Sequence, residues 1–231
     1  MAKPKVSVLT GQYRKIAMSV VKPLRLRRAA PEVRQADILD SAYAEFAHHG
    51  FADARMEDVA RGAHVSKGTV YLYYPTKQAL FEALVRRDIT PRIGPIIAFL
   101  SSYDGPLEAA LERVAVIAAM IINDGKLPIY PKLLMAESAR FPELARFYRA
   151  EVVEVMLTAL GGLFERAMRG GEIGRAVSPV MAAHLFIAPF LKAIMWSFTF
   201  AATEDVPFAP APYLAAHVKI FLAGLRETQD A

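Results

Sequence analysis

The chain has 231 residues, 54% of them apolar, which is enough for one large or two modest domains around a substantial core. It contains no cysteine, and this excludes disulfide bonds and thiolate chemistry. With 28 basic and 23 acidic side chains the formal charge is +5, and that charge is unevenly distributed along the chain.

Residues 1–30 form a basic arm. They carry eight lysine or arginine side chains and no acidic one, whereas the rest of the chain is slightly acidic. This pattern is typical of tails that bind polyanions. The alternatives are a solvated tail without function, or a start codon assigned upstream of the true one at Met18. The arm lacks a continuous apolar stretch, so we expect no secretory signal and a cytoplasmic protein.

The first predicted helix covers residues 32–49, where apolar side chains recur at the spacing of one helical face. Gly50 follows as a C-terminal cap. His48 and His49 lie in the last turn, where a cation is favoured, and adjacent side chains on a helix point about 100° apart. We therefore interpret this histidine pair as capping residues and not as metal ligands.

Two short helices follow. Residues 56–63 repeat the apolar helical spacing, and a tight turn leads to a third helix that Ser66 caps and Pro75 ends. Only Val70 and Tyr74 of this third helix can face a core, so its other side chains point outward with hydrogen-bonding groups and aromatic rings. A short buried helix, a tight turn and a second helix with exposed polar groups predict a DNA-binding helix-turn-helix.

The remainder of the chain predicts a larger helical bundle. After a fourth helix capped by Thr76, helices are expected at about 107–122, 127–139, 142–169, 178–201 and 212–227. Residues 114–122 are apolar on all sides, which predicts a central position. Gly161 and Gly162 predict a bend or a close helix contact. No strand or repeat is evident, so the predicted fold class is all-α, with about nine to ten helices.

One segment, residues 180–200, is apolar enough to raise the question of a membrane span. It also contains His184, Pro189 and Lys192, which are uncommon in the lipid-facing part of such a span. We therefore favour a buried helix or a dimer interface over a membrane segment.

Three cations stand where helices begin. Arg55 precedes the second helix, Lys67 opens the third and Lys77 opens the fourth. Cations are disfavoured at helix N-termini because the helix dipole is positive there. A docked phosphate would reverse this penalty, because backbone amides, dipole and cation would then act on the same anion.

Several segments between Arg34 and Asp88 follow one known pattern: Ile38-Leu39-Asp40, Phe46, Gly50-Phe51, Met56-Glu57-Asp58-Val59-Ala60, residues 65–74 and Lys77-Gln78-Ala79-Leu80. They resemble the DNA-binding domain of TetR-family transcriptional regulators, and residues 133–144 weakly resemble the AcrR-like branch. The resemblance implies a three-helix helix-turn-helix domain at 31–90, after the arm at 1–30. It also implies a larger effector-binding and dimerisation domain at 91–231.

Carried over by position, the resemblance also implies the DNA contacts. Lys67 is expected to read guanine, and Thr69 to touch a thymine methyl group. Arg55 stands where the family usually has threonine or serine, so the second helix is expected to lack a hydroxyl cap. The complete set of expected contacts is Arg55, Ser66, Lys67, Gly68, Thr69, Tyr71, Tyr73 and Lys77, with Tyr71, Tyr73 and Lys77 on phosphates. Arg25, Arg27 and Arg28 of the arm could enter an adjacent minor groove.

The resemblance further implies a homodimer that binds a palindromic operator in double-stranded DNA and is released by a small effector. The dimer would form through the last two helices, and their nearly continuous apolar character supports this independently. The bulky or polarisable side chains available for an apolar or aromatic effector also have core packing as a simpler explanation. They are Met120, Tyr130, Met135, Phe147, His184, Phe186, Trp196 and Phe200. A histidine such as His184 in an apolar helix is usually a hydrogen-bonded core residue.

Three alternatives remain at this level. An enzyme is disfavoured because the chain has no cysteine, only scattered histidines, no glycine-rich phosphate loop and no paired carboxylates in an apolar stretch. We therefore expect no catalytic residue, no metal site and no cofactor. A membrane-associated helical protein would use the basic arm and residues 180–200. A DNA-binding activator, or a regulator without an effector, would keep the helix-turn-helix.

Overall fold

The computed structural model describes residues 31–125, 127–200 and 208–227. These residues form ten helices and no strand, so the all-α prediction is confirmed. The helices are α1 Pro31–Asp53, α2 Met56–Gly62, α3 Lys67–Tyr73, α4 Lys77–Asp88, α5 Thr90–Ser102, α6 Leu107–Asn123, α7 Ile129–Glu137, α8, α9 Pro179–Thr199 and α10 Pro210–Glu227. Helix α8 is continuous through three segments, Pro142–Tyr148, a π-helical turn Arg149–Val153, and Glu154–Arg169. The basic arm, with Arg25, Arg27 and Arg28, lies outside the described residues.

Helix α1 is kinked at Gly50, which has a φ of 76°. Glycine adopts this left-handed conformation without the steric cost that a Cβ would add. The helix then resumes for a short stretch, so that Phe51 returns to the core. Just before the kink, His49 lies 3.9 Å from the Glu45 carboxylate, one helical turn away. This contact gives His49 a local partner.

The described residues bury two hydrophobic clusters. One joins α1–α4 with Tyr130 and Leu133 of α7 and Leu144 of α8. The other joins α5, α6, the later part of α8, α9 and α10. The core of residues 31–90 is therefore completed by side chains from much later in the chain. A domain boundary at residue 90 leaves these later side chains out of the first domain.

Helix α8 passes from one cluster to the other at its π-helical turn. Tyr148 and Val152 pack against the first cluster, whereas Met156 and Leu157 pack against the second. The prediction made for Gly161 and Gly162 is wrong, because both lie within the regular segment Glu154–Arg169. A side chain added at Gly161 would meet no atom within 4 Å, so no close helix contact requires this glycine.

Helix α5 was not predicted from the sequence, and it contains two prolines, Pro91 and Pro95. Pro91 lies in the first turn, where a helix leaves its N–H groups unpaired and proline is tolerated. Pro95 lies inside the helix, where proline normally costs a hydrogen bond. Burial of Ile96 and Leu100 continues the helix past it, so tertiary packing prevails over local propensity here.

By its length and composition alone, helix α9 could cross a membrane. It is the one such helix among the described residues. Only 28% of its most apolar window is buried within the chain. Val180, Met181, Leu185 and Leu191 are exposed along it. Much of the apolar surface of α9 is therefore not covered by the rest of this single chain.

Candidate nucleic-acid interface

Helix α3 begins and ends where the sequence predicts. The Ser66 hydroxyl accepts a hydrogen bond from the Thr69 N–H at 3.1 Å, which satisfies one unpaired donor of the helix start. Val70 is fully buried and anchors the helix to the first cluster. Tyr74 takes an extended conformation (φ −136°, ψ 94°), as expected for the residue before Pro75. These contacts fix the axis of α3 and leave its other face open.

The open face of α3 consists of polar and aromatic groups. Ser66, Lys67 and Gly68 are exposed at its start. Tyr71 is 40% exposed, and Leu72 is 80% exposed, the largest exposed fraction among the large apolar side chains described here. Leu72 was not singled out from the sequence. It could have been, because only Val70 and Tyr74 of this short helix have a core-facing position.

Two of the predicted contact residues are only partly accessible. Thr69 and Tyr73 are both half-buried, and Tyr73 packs against the first cluster. The Thr69 hydroxyl lies 2.8 Å from the Ser66 hydroxyl, so the two side chains share one hydrogen bond at the start of the helix. Thr69 thus supports the cap, and only part of its side chain faces solvent.

The turn between α2 and α3 depends on an unusual backbone conformation. His64 has a φ of 54°, the left-handed region that is costly for a residue with a Cβ. Its N–H donates to the Arg61 carbonyl at 3.1 Å, and the next N–H, of Val65, donates to the Ala60 carbonyl at 3.0 Å. These bonds hold the sharp turn that sets α3 relative to α2.

The Lys67 ammonium group contacts the carboxylate of Glu57 in α2. Both side chains are about half exposed, and the Lys67 nitrogen lies 5.6 Å from the centre of the Tyr71 ring. The hydrogen bond between Lys67 and Glu57 raises the pKa of Lys67 and lowers the pKa of Glu57. Lys67 is therefore charged and held next to the open face of α3.

The helix starts at Arg55 and Lys77 differ from each other. Arg55 is exposed at the start of α2 and provides no side-chain cap, as the sequence predicts. Lys77 instead points inward, and its ammonium group donates to the carbonyls of Phe51 at 2.6 Å and Ala52 at 2.7 Å. Burial lowers the pKa of Lys77. Its side chain thus stabilises the end of α1, and this corrects the expectation that the ammonium group lies on a phosphate.

The helix-turn-helix is tied to the rest of the chain by polar contacts around α4. The buried Tyr130 of α7 donates its hydroxyl hydrogen to the Asp88 carboxylate, and burial raises the pKa of Tyr130. Arg87 contacts Asp88 at 2.7 Å and Asp40 of α1 at 2.7 Å. These contacts connect α7 to α4 and, through Arg87, to α1.

Two further contacts join the same halves. The carboxylate of Glu137 in α7 accepts a hydrogen bond from the Ala52 N–H at 3.2 Å. Arg86 of α4 lies 3.5 Å from the carboxylate of Glu151 in the π-helical turn of α8. Helix α1 thus contacts α7, and helix α4 contacts α8.

The residues predicted for an effector pocket do not form one pocket. Tyr130 and Phe147 belong to the first cluster, where Phe147 packs on Phe81 and on the Arg86 guanidinium. Phe186 belongs to the second cluster. Their first role is core packing in two separate places.

The other predicted pocket residues lie near or at the surface. Met120 on α6 is 66% exposed, so α6 is not enclosed on all sides as predicted. Met135 on α7 is also exposed. The Trp196 ring packs against the exposed Phe200 ring at an angle of 52°, and the Lys192 ammonium group lies 4.1 Å from the centre of the Trp196 ring. The expectation of a core histidine at His184 is wrong, because its side chain is exposed.

A different histidine, the half-buried His217, packs against the second cluster. His217 of α10 lies 2.9 Å from the Phe186 carbonyl through its Nε2 atom. Aromatic rings of Phe186, Phe190 and Phe221 surround it, and burial lowers its pKa. His217 was not singled out from the sequence, because its helix is less apolar than the helix that carries His184.

Comparison with known families agrees with this geometry. Residues 38–84 match the family described as "Bacterial regulatory proteins, tetR family". Residues 109–224 match "AefR-like transcriptional repressor, C-terminal domain". The chain belongs to the TetR family. The first match covers α2 and α3, so the open face described above is the helix-turn-helix of a TetR-family protein.

Individual relatives support the same assignment. The HTH-type transcriptional regulator RutR of Escherichia coli is 27% identical over 138 residues, which are 60% of this chain and 57% of RutR. A TetR-family regulator from Mesorhizobium loti is similar in structure, with a TM-score of 0.66 and 25% identity over 83% of this chain and 96% of that one. The fatty acid regulator FadR of Bacillus subtilis, solved with stearoyl-CoA, has a TM-score of 0.68 at 18% identity, over 83% and 100% of the two chains. At that identity the likeness to FadR concerns the fold alone.

Proposed function

We propose that this TetR-family protein is a ligand-responsive transcriptional repressor that binds a palindromic DNA operator as a homodimer. The observation that carries the proposal is the open face of α3, capped by Ser66 and anchored by Val70, with Lys67 and Tyr71 directed outward. A helix held in this way fits a major groove, where lysine pairs with guanine acceptors. The relatives above are named as regulators, which supports the same reading.

The proposed DNA contacts fall into two groups. We expect Lys67, Thr69 and Leu72 to meet base edges, with Leu72 suited to a thymine methyl group. The residues expected to meet the phosphate backbone on either side are Arg55, Ser66, Gly68, Tyr71 and Tyr73. Phosphate contacts fix the position on DNA, and base contacts provide sequence preference. We leave the Lys77 ammonium group out of this set because it is bound to two carbonyls of α1.

The proposed dimer interface consists of the exposed apolar faces of α9 and α10. Leu185 and Leu191 are exposed on α9, and Ile220 on α10 is 73% exposed. Contiguous apolar surface on a soluble protein marks an interaction site, and a second copy offers a self-complementary partner. A two-fold dimer presents two α3 helices, which must lie roughly 34–36 Å apart to reach successive major grooves.

The effector is proposed to be apolar. The FadR structure named above is a complex with stearoyl-CoA, whose acyl chain is apolar, and FadR has the same fold as this chain. An effector releases DNA only if it binds better to the form that does not fit the operator. The contacts of α7 and α8 with α4 give a direct route for such a change.

Protection of DNA from nuclease cleavage tests the proposal. The purified protein should protect a palindromic sequence in the DNA that flanks its own gene, with two protected half-sites one helical turn apart. Deleting residues 1–28 should retain the protected sequence but reduce the dependence of affinity on salt, since each lost phosphate contact lowers the slope by about 0.9. Uniform cleavage across all flanking DNA would contradict the proposal.

A further inference from the structure

An open groove of about 420 Å³ lies between α5 and the later part of α8. Its volume falls in the range of about 300–1,000 Å³ that is usual for small-molecule sites. It is lined by Ile97, Ser101, Val155, Thr158, Gly162 and Arg166. None of the residues predicted for an effector pocket lines this groove.

Gly162 lies in the lining of the groove, where it carries no side chain that would fill the space. A side chain at Gly161 would meet no atom within 4 Å, and one at Gly162 would meet only the Arg166 Nη1 atom, at 3.5 Å. Glycine inside a helix costs about 1 kcal/mol relative to alanine. Neither a positive φ nor a close helix contact accounts for these glycines. Gly162 leaves open space on the face of α8 that lines the groove.

The groove carries a cation at one end. The half-buried Arg166 guanidinium donates to the Leu100 carbonyl. Within the described parts of the chain, no ion pair involves Arg166. A guanidinium group presents several donors in one plane and prefers carboxylate oxygens as partners. Arg166 thus retains donors and a positive charge for an anion in the groove.

The opposite end of the groove is apolar and then acidic. Ile97, Val155 and Ala159 line its middle, and Glu154 lies at the far end, paired with Arg149 at 3.2 Å. Twelve positions separate Glu154 from Arg166, which correspond to about 18 Å along the helix axis. A ligand with one negative end and a long apolar body matches this arrangement.

We propose that this groove is the effector site, and that the effector is an elongated apolar carboxylate whose carboxylate group pairs with Arg166. This inference rests on the proposed function as a ligand-responsive regulator. It assigns the site to residues that the sequence analysis did not select, and it adds a charge requirement to the expectation of an apolar effector.

The groove adjoins the π-helical turn of α8, and this turn connects the groove to α4. Glu154 and Val155 of the groove follow directly after residues 149–153. Within that turn, Glu151 pairs with Arg86 of α4 at 3.5 Å. A π-helical turn is a local irregularity that often occurs at functional sites. A ligand that moves α8 away from α5 would therefore act on the contact that holds α4.

Calorimetric titration of the full-length protein with dodecanoate, below its micelle-forming concentration and without DNA, tests the inference. Dodecanoate should bind saturably at one site per chain. Dodecanol and dodecyltrimethylammonium have the same chain without the carboxylate and should bind at least about tenfold more weakly, since a charge-assisted hydrogen bond contributes that much.

Variants locate the site. Arg166→Gln should weaken dodecanoate binding about tenfold or more, whereas Arg166→Lys, which keeps the charge, should weaken it less. Gly162→Leu should fill the groove and abolish binding without loss of helix stability, because leucine favours helices more than glycine does. Arg169→Gln is the matched control, since Arg169 is exposed on the same helix but does not line this groove. Its affinity should equal that of the wild type.

Three results would overturn the inference: no binding of dodecanoate to the wild type, equal binding to Arg166→Gln, or equal binding of dodecanol. Because these titrations contain no DNA, they decide the inference even if the protein fails to bind an operator. A separate titration should show that dodecanoate releases DNA from the wild type but not from Gly162→Leu. Absence of any DNA binding in that experiment would contradict the proposed function alone.

Discussion

The Lys67 ammonium group at the start of α3 contacts the Glu57 carboxylate in α2. The position of Lys67 is therefore set by both helices of the helix-turn-helix and not by α3 alone. In the free protein this pair also offsets a positive charge that would otherwise attract phosphates of any sequence. On an operator, Lys67 is expected to exchange part of this contact for a base edge.

Replacing Lys67 with alanine should reduce sequence discrimination. We expect a loss of about 1–3 kcal/mol in preference at one base pair, because a good base contact contributes that much. Anisotropy titrations with operator duplexes that vary at each position would measure it. Arg61→Ala is the control, since Arg61 is exposed and pairs with Asp58 of the same helix at 2.7 Å. An unchanged base preference in Lys67→Ala would remove Lys67 from the readout.

Replacing Tyr130 with phenylalanine should destabilise the contact between α7 and α4. The hydroxyl of Tyr130 is buried against Asp88 and the Leu84 carbonyl, at 3.3 Å from the latter. Its loss leaves buried acceptors without this donor, which costs about 1–3 kcal/mol. Chemical denaturation would measure the change. The control is Tyr103→Phe, because the Tyr103 hydroxyl makes no hydrogen bond within the described ranges, and this variant should be nearly as stable as the wild type. Equal stabilities of the two variants would refute the role given to Tyr130.

Replacing His64 with glycine should stabilise the protein. The left-handed backbone at His64 costs about 1–2 kcal/mol for a residue with a Cβ, and glycine avoids that cost at the expense of some unfolded-state entropy. A gain of about 1 kcal/mol in the free energy of unfolding is expected. The same substitution at His49, inside α1, should lower stability by a similar amount. Destabilisation by His64→Gly would show that the turn does not strain this residue.

Replacing Ile220 with glutamate should disrupt the dimer. A charge in the middle of an apolar interface loses hydration without a partner and opposes association. Sedimentation analysis should show monomers, and operator affinity should fall because one α3 helix then binds alone. Val116→Glu introduces the same charge on α6, where Val116 is also exposed, and should leave the dimer intact. A dimeric Ile220→Glu variant would place the interface elsewhere.

Local features of the fold were predictable from the sequence because they depend on neighbouring residues. The caps at Ser66 and Thr76 and the left-handed glycine at Gly50 follow from side-chain chemistry and backbone sterics alone. The outward face of α3 was predictable for the same reason. So was the uncapped start of α2 at Arg55.

Features that depend on distant packing were not predictable. Lys77 reaches carbonyls more than twenty positions earlier, and nothing near it in the chain indicates this. His184 lies in the more apolar of the two helices, yet the packing of α9 against α10 leaves it exposed and partly buries His217. The groove at Arg166 likewise arises between two helices, one of which the sequence did not reveal.

The central claim is that the open face of α3 binds duplex DNA. Anisotropy titration of the purified protein at about 100 mM salt, with duplexes from its own promoter region and with scrambled duplexes, tests it most directly. We expect at least about a thousandfold preference for one promoter duplex, and loss of that preference in the Lys67→Ala variant. Equal affinity for promoter and scrambled duplexes, or no binding to either, would contradict it.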